Sequence, residues 1–300
     1  MSTTNFLAGL ATLFVISSNC SAQNFNAWAK KADSLHNSKN YGEAGYYFEK
    51  AISAIKETYV EANDFYRCAA SYTMAGDINK ASFYITKAVN KGGVSSEILK
   101  RNNELSNLQR SKQWPSIIDH AEKMEINLNI ALIDKLKTLE NRDQFYRKKM
   151  DSMYKSKEVN STLLKIFKTK QFKLDSIIII ETKEVFDKFG FPTRLQVGEQ
   201  NMVLFFVVQH SDLKTMELYY PLFEKAAENG DLSWRSLCLM TDRIRKRKHL
   251  KQIYGTQITT DANGKSILYE VEDFENLNKR RLSIGLEPIE EYVKFWDIKL

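Results

Sequence analysis

The chain is poor in helix breakers. Four prolines and twelve glycines in 300 residues argue against a loop-rich or all-β protein and favour helix. Three cysteines are too few for a disulfide framework. Cys68 and Cys238 each stand in an apolar helical pattern and read as small buried hydrophobes. No HExxH, CxxC, P-loop, GxGxxG or GxSxG motif occurs. Zinc, dinucleotide, nucleoside-triphosphate and α/β-hydrolase chemistry therefore lack their usual carriers, and no cofactor is expected. The four histidines (His36, His120, His210 and His249) show no ligand spacing, so no metal site is expected.

Charge is missing from residues 1–22, where Phe6–Ile16 forms an apolar run. A mature transmembrane helix needs about 20 apolar residues, and this run is shorter. Cys20 and Ala22 place small residues at the −3 and −1 positions of a signal-peptidase cut, so residues 1–22 read as a signal peptide. The expected product is exported, periplasmic or secreted, with no transmembrane span. The alternative is a lipoprotein anchored at Cys20, although Ser17-Ser18-Asn19 makes a poor lipobox.

What is present is ordinary in bulk: 43% hydrophobic and 27% charged residues with a net charge of +7. This length fits two domains at about 150 residues each. The front half is a repeat. With a shift of 37, Trp28 falls on Phe65, Ala32 on Ala69, Ala44 on Ala81, Tyr47 on Tyr84, Phe48 on Ile85, Lys50 on Lys87, and Ala51 on Ala88. One supersecondary unit is written twice. The turns Lys39-Asn40 and Gly76-Asp77 split each copy into two helices. Small residues at fixed points let those helices approach closely.

Asn40–Ile52 and Gly76–Val89 resemble the second helix of the tetratricopeptide repeat. The period of 37 and the missing terminal proline depart from that motif. The resemblance implies an α-solenoid over residues 23–125, completed by a third, degenerate pair from Ser95–Leu108 and a helix beginning at Trp114-Pro115. It also implies a concave groove lined by Asn26, Ala29, Asp33, Asn63 and Tyr66. A protein or peptide partner would fill the groove, or the chain's own C-terminal half would.

Residues 126–300 read as a helical domain with one β-hairpin, so the fold class is mainly α. A linking helix is expected over 128–156, amphipathic from Ile130 to Tyr154, with Asp143 and Arg147 paired at i,i+4. Asp175 or Ser176 caps a helix that Gly190 and Pro192 stop at Phe189. Met202–Val208 reads as buried helix rather than strand. Further helices follow to Asn229-Gly230, over about Ser233–Lys248, and after Pro288. Gln252–Thr259 and Ser266–Val271 flank a turn at Asp261–Gly264.

DQxxR at Asp143–Arg147, FGFPT, VVQHSD, LMTDR, QIYGTQ and KRRLSIGLEPIEEY together resemble the bacterial domain-of-unknown-function family 6624, over roughly residues 130–296. That resemblance implies a domain and a site location, not a mechanism.

His210 is a candidate general base oriented by Asp212 or Asp242, or a buried histidine that ties helix ends together. Arg243 suits a carboxylate or phosphate. Gln209, Tyr254, Gln257 and Arg280 would complete a cationic pocket for a small anionic ligand. The basic run Arg243–Lys251 lacks interleaved aromatics and reads as a solvated helix end, which makes nucleic acid an unlikely partner. The leading expectation is a binding or scaffolding module with a polar C-terminal site. The alternative is a hydrolase-type enzyme using His210 with Asp242 or Asp212, and Arg243.

Overall fold

A computed structural model describes residues 25–156 and 160–300. The expected signal peptide and Cys20 lie outside them. The described chain is mainly α with one small antiparallel hairpin, which is the expected fold class.

The repeat copies form two helix pairs. Helix α1 covers residues 25–37 and α2 Tyr41–Ser53. Helix α3 covers Ala62–Ala75 and α4 Ile78–Asn90. Ala32, Ala69, Ala44, Ala81, Ala51, Ala88, Phe48 and Ile85 are all buried. The shift of 37 therefore maps core position onto core position. Gly76 closes α3 at φ +83°, and its repeat mate Lys39 takes φ +63°. Asp77 then caps α4, accepting from the Lys80 N–H at 3.1 Å.

The third pair is broken. Ser95 caps α5, Ser96–Arg101, and a 3₁₀ turn and α6, Ser106–Gln109, stand where one helix was expected. Asn102 explains the break. Its carbonyl side chain accepts from the Glu104 N–H at 2.8 Å, and its amide donates to the Tyr66 hydroxyl. Local side-chain bonding of this kind competes with helix continuation. Helix α7, Trp114–Ile126, begins at Trp114 as expected.

Helix α8, Ile130–Lys155, falls in the span where a long amphipathic helix was expected. Helix α9, Ser161–Phe189, starts well before the expected cap at Asp175 or Ser176, and Asn160 caps it by accepting from the Leu163 N–H at 2.9 Å. Short α10, Arg194–Val197, leads to α11, Met202–His210, which settles that apolar run as helix. Helix α12, Leu213–Glu228, carries Pro221 inside it, and α13 covers Trp234–Arg247. Strands β1, Ile258–Thr260, and β2, Ser266–Leu268, pair Thr259 with Ile267. Asp261 Oδ1 holds the turn by accepting the Asn263 and Lys265 N–H groups, each at 2.9 Å. Helices α14, Leu277–Ser283, and α15, Ile289–Tyr292, end the fold.

The chain forms two compact units, residues 25–123 with 233–300, and residues 124–232. This division differs from the expected boundary at 125/126, because the C-terminal 68 residues join the helix pairs. Within the first unit, Asn26 donates to the Leu286 carbonyl at 3.0 Å and Lys30 pairs with Glu291 at 3.0 Å. Tyr59 and Trp234 meet edge to face at 5.2 Å. Cys68 and Cys238 are free thiols, both buried, and burial pushes both thiol pKa values up. No described helix is long and apolar enough to cross a membrane.

Candidate functional site

The sequence motifs separate into two places. In the second unit, α8, α9 and α11 bring His210 against the DQxxR segment. His210 Nδ1 lies 3.0 Å from Asp143 Oδ1. Gln144 donates to Asp143 Oδ2 at 2.7 Å, and Arg147 Nη2 reaches Asp143 Oδ1 at 3.4 Å. Arg147 bonds Asp175 more closely, at 2.8 and 2.9 Å to its two oxygens, and Gln171 donates to Asp175 Oδ1 at 2.6 Å.

Helical spacing builds this cluster. Asp143 and Arg147 are four apart on α8, as are Gln171 and Asp175 on α9, so each pair shares a face. Asp175 is thus a mid-helix residue held by Arg147 from the facing helix and Gln171 from its own, not the helix cap that the sequence suggested. The side chain of Asp143 is 4% exposed and that of His210 23% exposed. Burial opposes the charge on Asp143, but the bond from His210 and the nearby Arg147 outweigh it and hold the carboxyl below its ordinary value. Asp143 is therefore an ionised acceptor at neutral pH, and Nδ1 of His210 must carry the proton it donates. In the neutral ring the lone pair then sits on Nε2. Gln171 Oε1 and Arg147 Nε are buried without a hydrogen-bond partner among the described residues. Such groups call for a ligand or ordered water.

In the first unit, Asp242 is fully buried near the end of α13. Its Oδ1 accepts from the Ile253 N–H at 2.7 Å and the Tyr254 N–H at 3.0 Å. Its Oδ2 accepts from the Thr256 N–H and hydroxyl, both at 2.9 Å. This carboxylate is the hub of the QIYGTQ loop. Gln252 closes the loop, accepting from the Gln257 N–H at 2.7 Å while its amide donates to the carbonyls of Gln257 and Tyr269 at 3.0 and 2.7 Å. Gly255 sits at φ +68° with Ile289 Cδ1 only 2.9 Å from where a Cβ would stand, so glycine is required there. The Gln257 amide donates to Thr256 Oγ1 at 3.2 Å. Arg280 donates to the Ile253 carbonyl at 3.1 Å and pairs with Asp273 at 3.2 Å. Arg281, buried and missed by the sequence reading, donates to the Glu287 and Tyr254 carbonyls and lies over the Tyr292 ring.

These bonds correct the expected pairing of His210. Both Asp242 oxygens serve the QIYGTQ backbone, and Asp212 caps α12 by accepting from the Thr215 N–H at 2.7 Å. The partner of His210 is Asp143. The expected pocket of Arg243, Tyr254, Gln257 and Arg280 is largely a closed network: Gln257 is buried, Arg243 and Tyr254 are half-buried, and Arg280 is turned onto backbone carbonyls. Gln209 is buried beside His210 in the other unit. Three of the expected groove positions are also engaged. Asn26 holds Leu286, Asp33 pairs with Arg67, and Tyr66 accepts from Asn102, while Asn63 is exposed. A cleft of about 450 Å³ in the first unit is lined by Ser82, Thr86, Asn90, Gln113 and His120, none of them singled out from the sequence. Among the described residues no cluster of His, Cys, Asp and Glu could hold a metal ion.

A family model, "Family of unknown function (DUF6624)", matches residues 138–299, more than half of the chain, and the chain belongs to that family. No curated protein and no solved structure matches it.

Proposed function

We propose that the 124–232 unit carries an acid–base site centred on His210. Asp143 orients the ring and Arg147 bridges Asp143 to Asp175. One observation carries this reading: a buried carboxylate holds Nδ1, which leaves Nε2 as the basic nitrogen of a ring that still reaches solvent. The buried Gln171 Oε1 and Arg147 Nε beside it supply polar groups for a bound molecule. The reaction class that fits is proton transfer or hydrolysis, with Asp143 as the positioning residue in place of Asp242 or Asp212.

The test is carbethoxylation with diethyl pyrocarbonate, mapped histidine by histidine by mass spectrometry. His210 should react at Nε2, and Asp143→Asn should slow that reaction severalfold while the rates of His36, His120 and His249 hold. A His210 that stays unmodified in the folded protein would mark it as a structural pin.

A second reading keeps the front helices as a partner-binding module of tetratricopeptide type. It is supported by the matched burial of both repeat copies. Contacts of Asn26 and Lys30 with residues 286–291 occupy part of the inner face, which leaves less of it for a partner. Export, with cleavage after Ala22, belongs to the same proposal and rests on the uncharged residues 1–22.

A further inference from the structure

Besides the basic run Arg243–Lys251, the chain has a second strongly basic stretch. Among the described residues, 148–156 and 160–173 hold seven lysines against Asp151, a net charge of +6. These residues form the C-terminal part of α8 and the N-terminal part of α9. The two helices run antiparallel, with Lys135 on Glu184, Arg142 on Glu181 and Arg147 on Asp175. With 26 and 29 residues they are about 40 Å long at 1.5 Å per residue. Among the described residues no acidic group pairs with Lys148, Lys155, Lys165, Lys168 or Lys173.

The same arm exposes apolar side chains. Phe172 is 74% exposed, and Leu163, Ile166, Ile177 and Ile180 are exposed too. Helical spacing of three and four puts Leu163, Ile166, Lys170, Lys173, Ile177 and Ile180 in one outward stripe. The opposite face of α9 packs inward through buried Gln171, Ile178 and Thr182.

We propose that this arm docks on an anionic phospholipid surface, with its lysines at the headgroups and the Ile166, Ile177 and Ile180 side chains in the interfacial region. Nucleic acid suits the arm less well. Strand stacking uses aromatics and base readout uses arginine forks, whereas this stripe offers aliphatic residues and lysine. A bilayer interface buries aliphatic side chains, and a phosphate backbone does not.

The experiment is co-sedimentation of the full chain with vesicles of phosphatidylcholine alone or with 30 mol% phosphatidylglycerol. Binding is expected only to the anionic vesicles and should weaken with salt. Replacing Lys165, Lys168, Lys170 and Lys173 together with Gln should weaken it at least a hundredfold, since each cation near an anionic surface contributes roughly a fivefold effect. A variant with Ile166→Asn, Ile177→Asn and Ile180→Asn should also lose binding. All these positions are exposed or at the surface, and an unchanged circular dichroism melt confirms that each variant folds. Equal binding to neutral vesicles, or no loss in the lysine variant, overturns the proposal. So does a short DNA duplex that binds more tightly than the vesicles and is indifferent to the isoleucine changes.

Discussion

Asp242 Oδ2 lies 2.9 Å from both the backbone N–H and the hydroxyl of Thr256, fourteen residues further along the chain. The other oxygen takes the Ile253 and Tyr254 N–H groups. A carboxylate from the end of one helix therefore does for the QIYGTQ loop what a strand partner would do: it satisfies consecutive backbone donors that point into the protein. The negative charge strengthens each bond. The loop's Gly255, Thr256 and Gln257 are shaped around this anion, which accounts for a motif rich in hydrogen-bonding side chains without a ligand.

Asp242→Ala should accordingly leave three backbone donors unpaired in the interior. Each costs about 1–3 kcal/mol, so a loss of at least about 3 kcal/mol is expected in urea unfolding. Asp242→Asn should recover little, because the amide nitrogen would face N–H donors. A loss below about 0.5 kcal/mol for Asp242→Ala would contradict this structural role.

The front helices were legible because their signal is local: alanines and aromatics recur at a fixed period, and the alanines of both copies land in the core. The helix at Met202–His210 was legible from its neighbours. Asp143 and His210 are 67 residues apart, and nothing in either motif names the other. Asp175 misled for a similar reason. A lone acid after a lysine-rich stretch looks like a cap, and only Arg147 on the facing helix justifies it in mid-helix. The burial of Asp242 was hidden because most of its partners are backbone groups, which leave no trace in residue type.

Lys39 and Gly76 hold equivalent turns in the two repeat copies, at φ +63° and +83°. A side chain in the left-handed region costs about 1 kcal/mol or more, and only the second copy avoids that with glycine. Lys39→Gly should therefore stabilise the protein by about 1 kcal/mol. Gly76→Ala should destabilise it by a similar amount, since nothing stands within 4 Å of a new Cβ there and only the backbone conformation matters. Thermal melts of the two variants should move in opposite directions. Melts that move together would break the equivalence of the turns.

Asp64 links the same helix pairs to pH. It sits at the start of α3, and its Oδ2 accepts from the Glu61 N–H at 3.1 Å. Burial pushes its pKa up to about 6, with the Glu61 N–H bond opposing and the Glu61 charge adding to the rise. The folded protein then holds this proton more tightly than the unfolded chain, whose value is 3.8. Between these two values the native state binds more protons, so stability falls as pH rises through that window. The contribution is full below the unfolded value and gone above the folded one. Asp64→Asn keeps an acceptor for Glu61 and cannot titrate. Measured from pH 3 to pH 8, the variant's melting temperature should rise relative to wild type across roughly pH 4–6 and keep that advantage above it. A difference curve that stays flat would show that folding leaves the Asp64 carboxyl at its ordinary value, and one that slopes the other way would show that folding lowers it; either overturns the prediction.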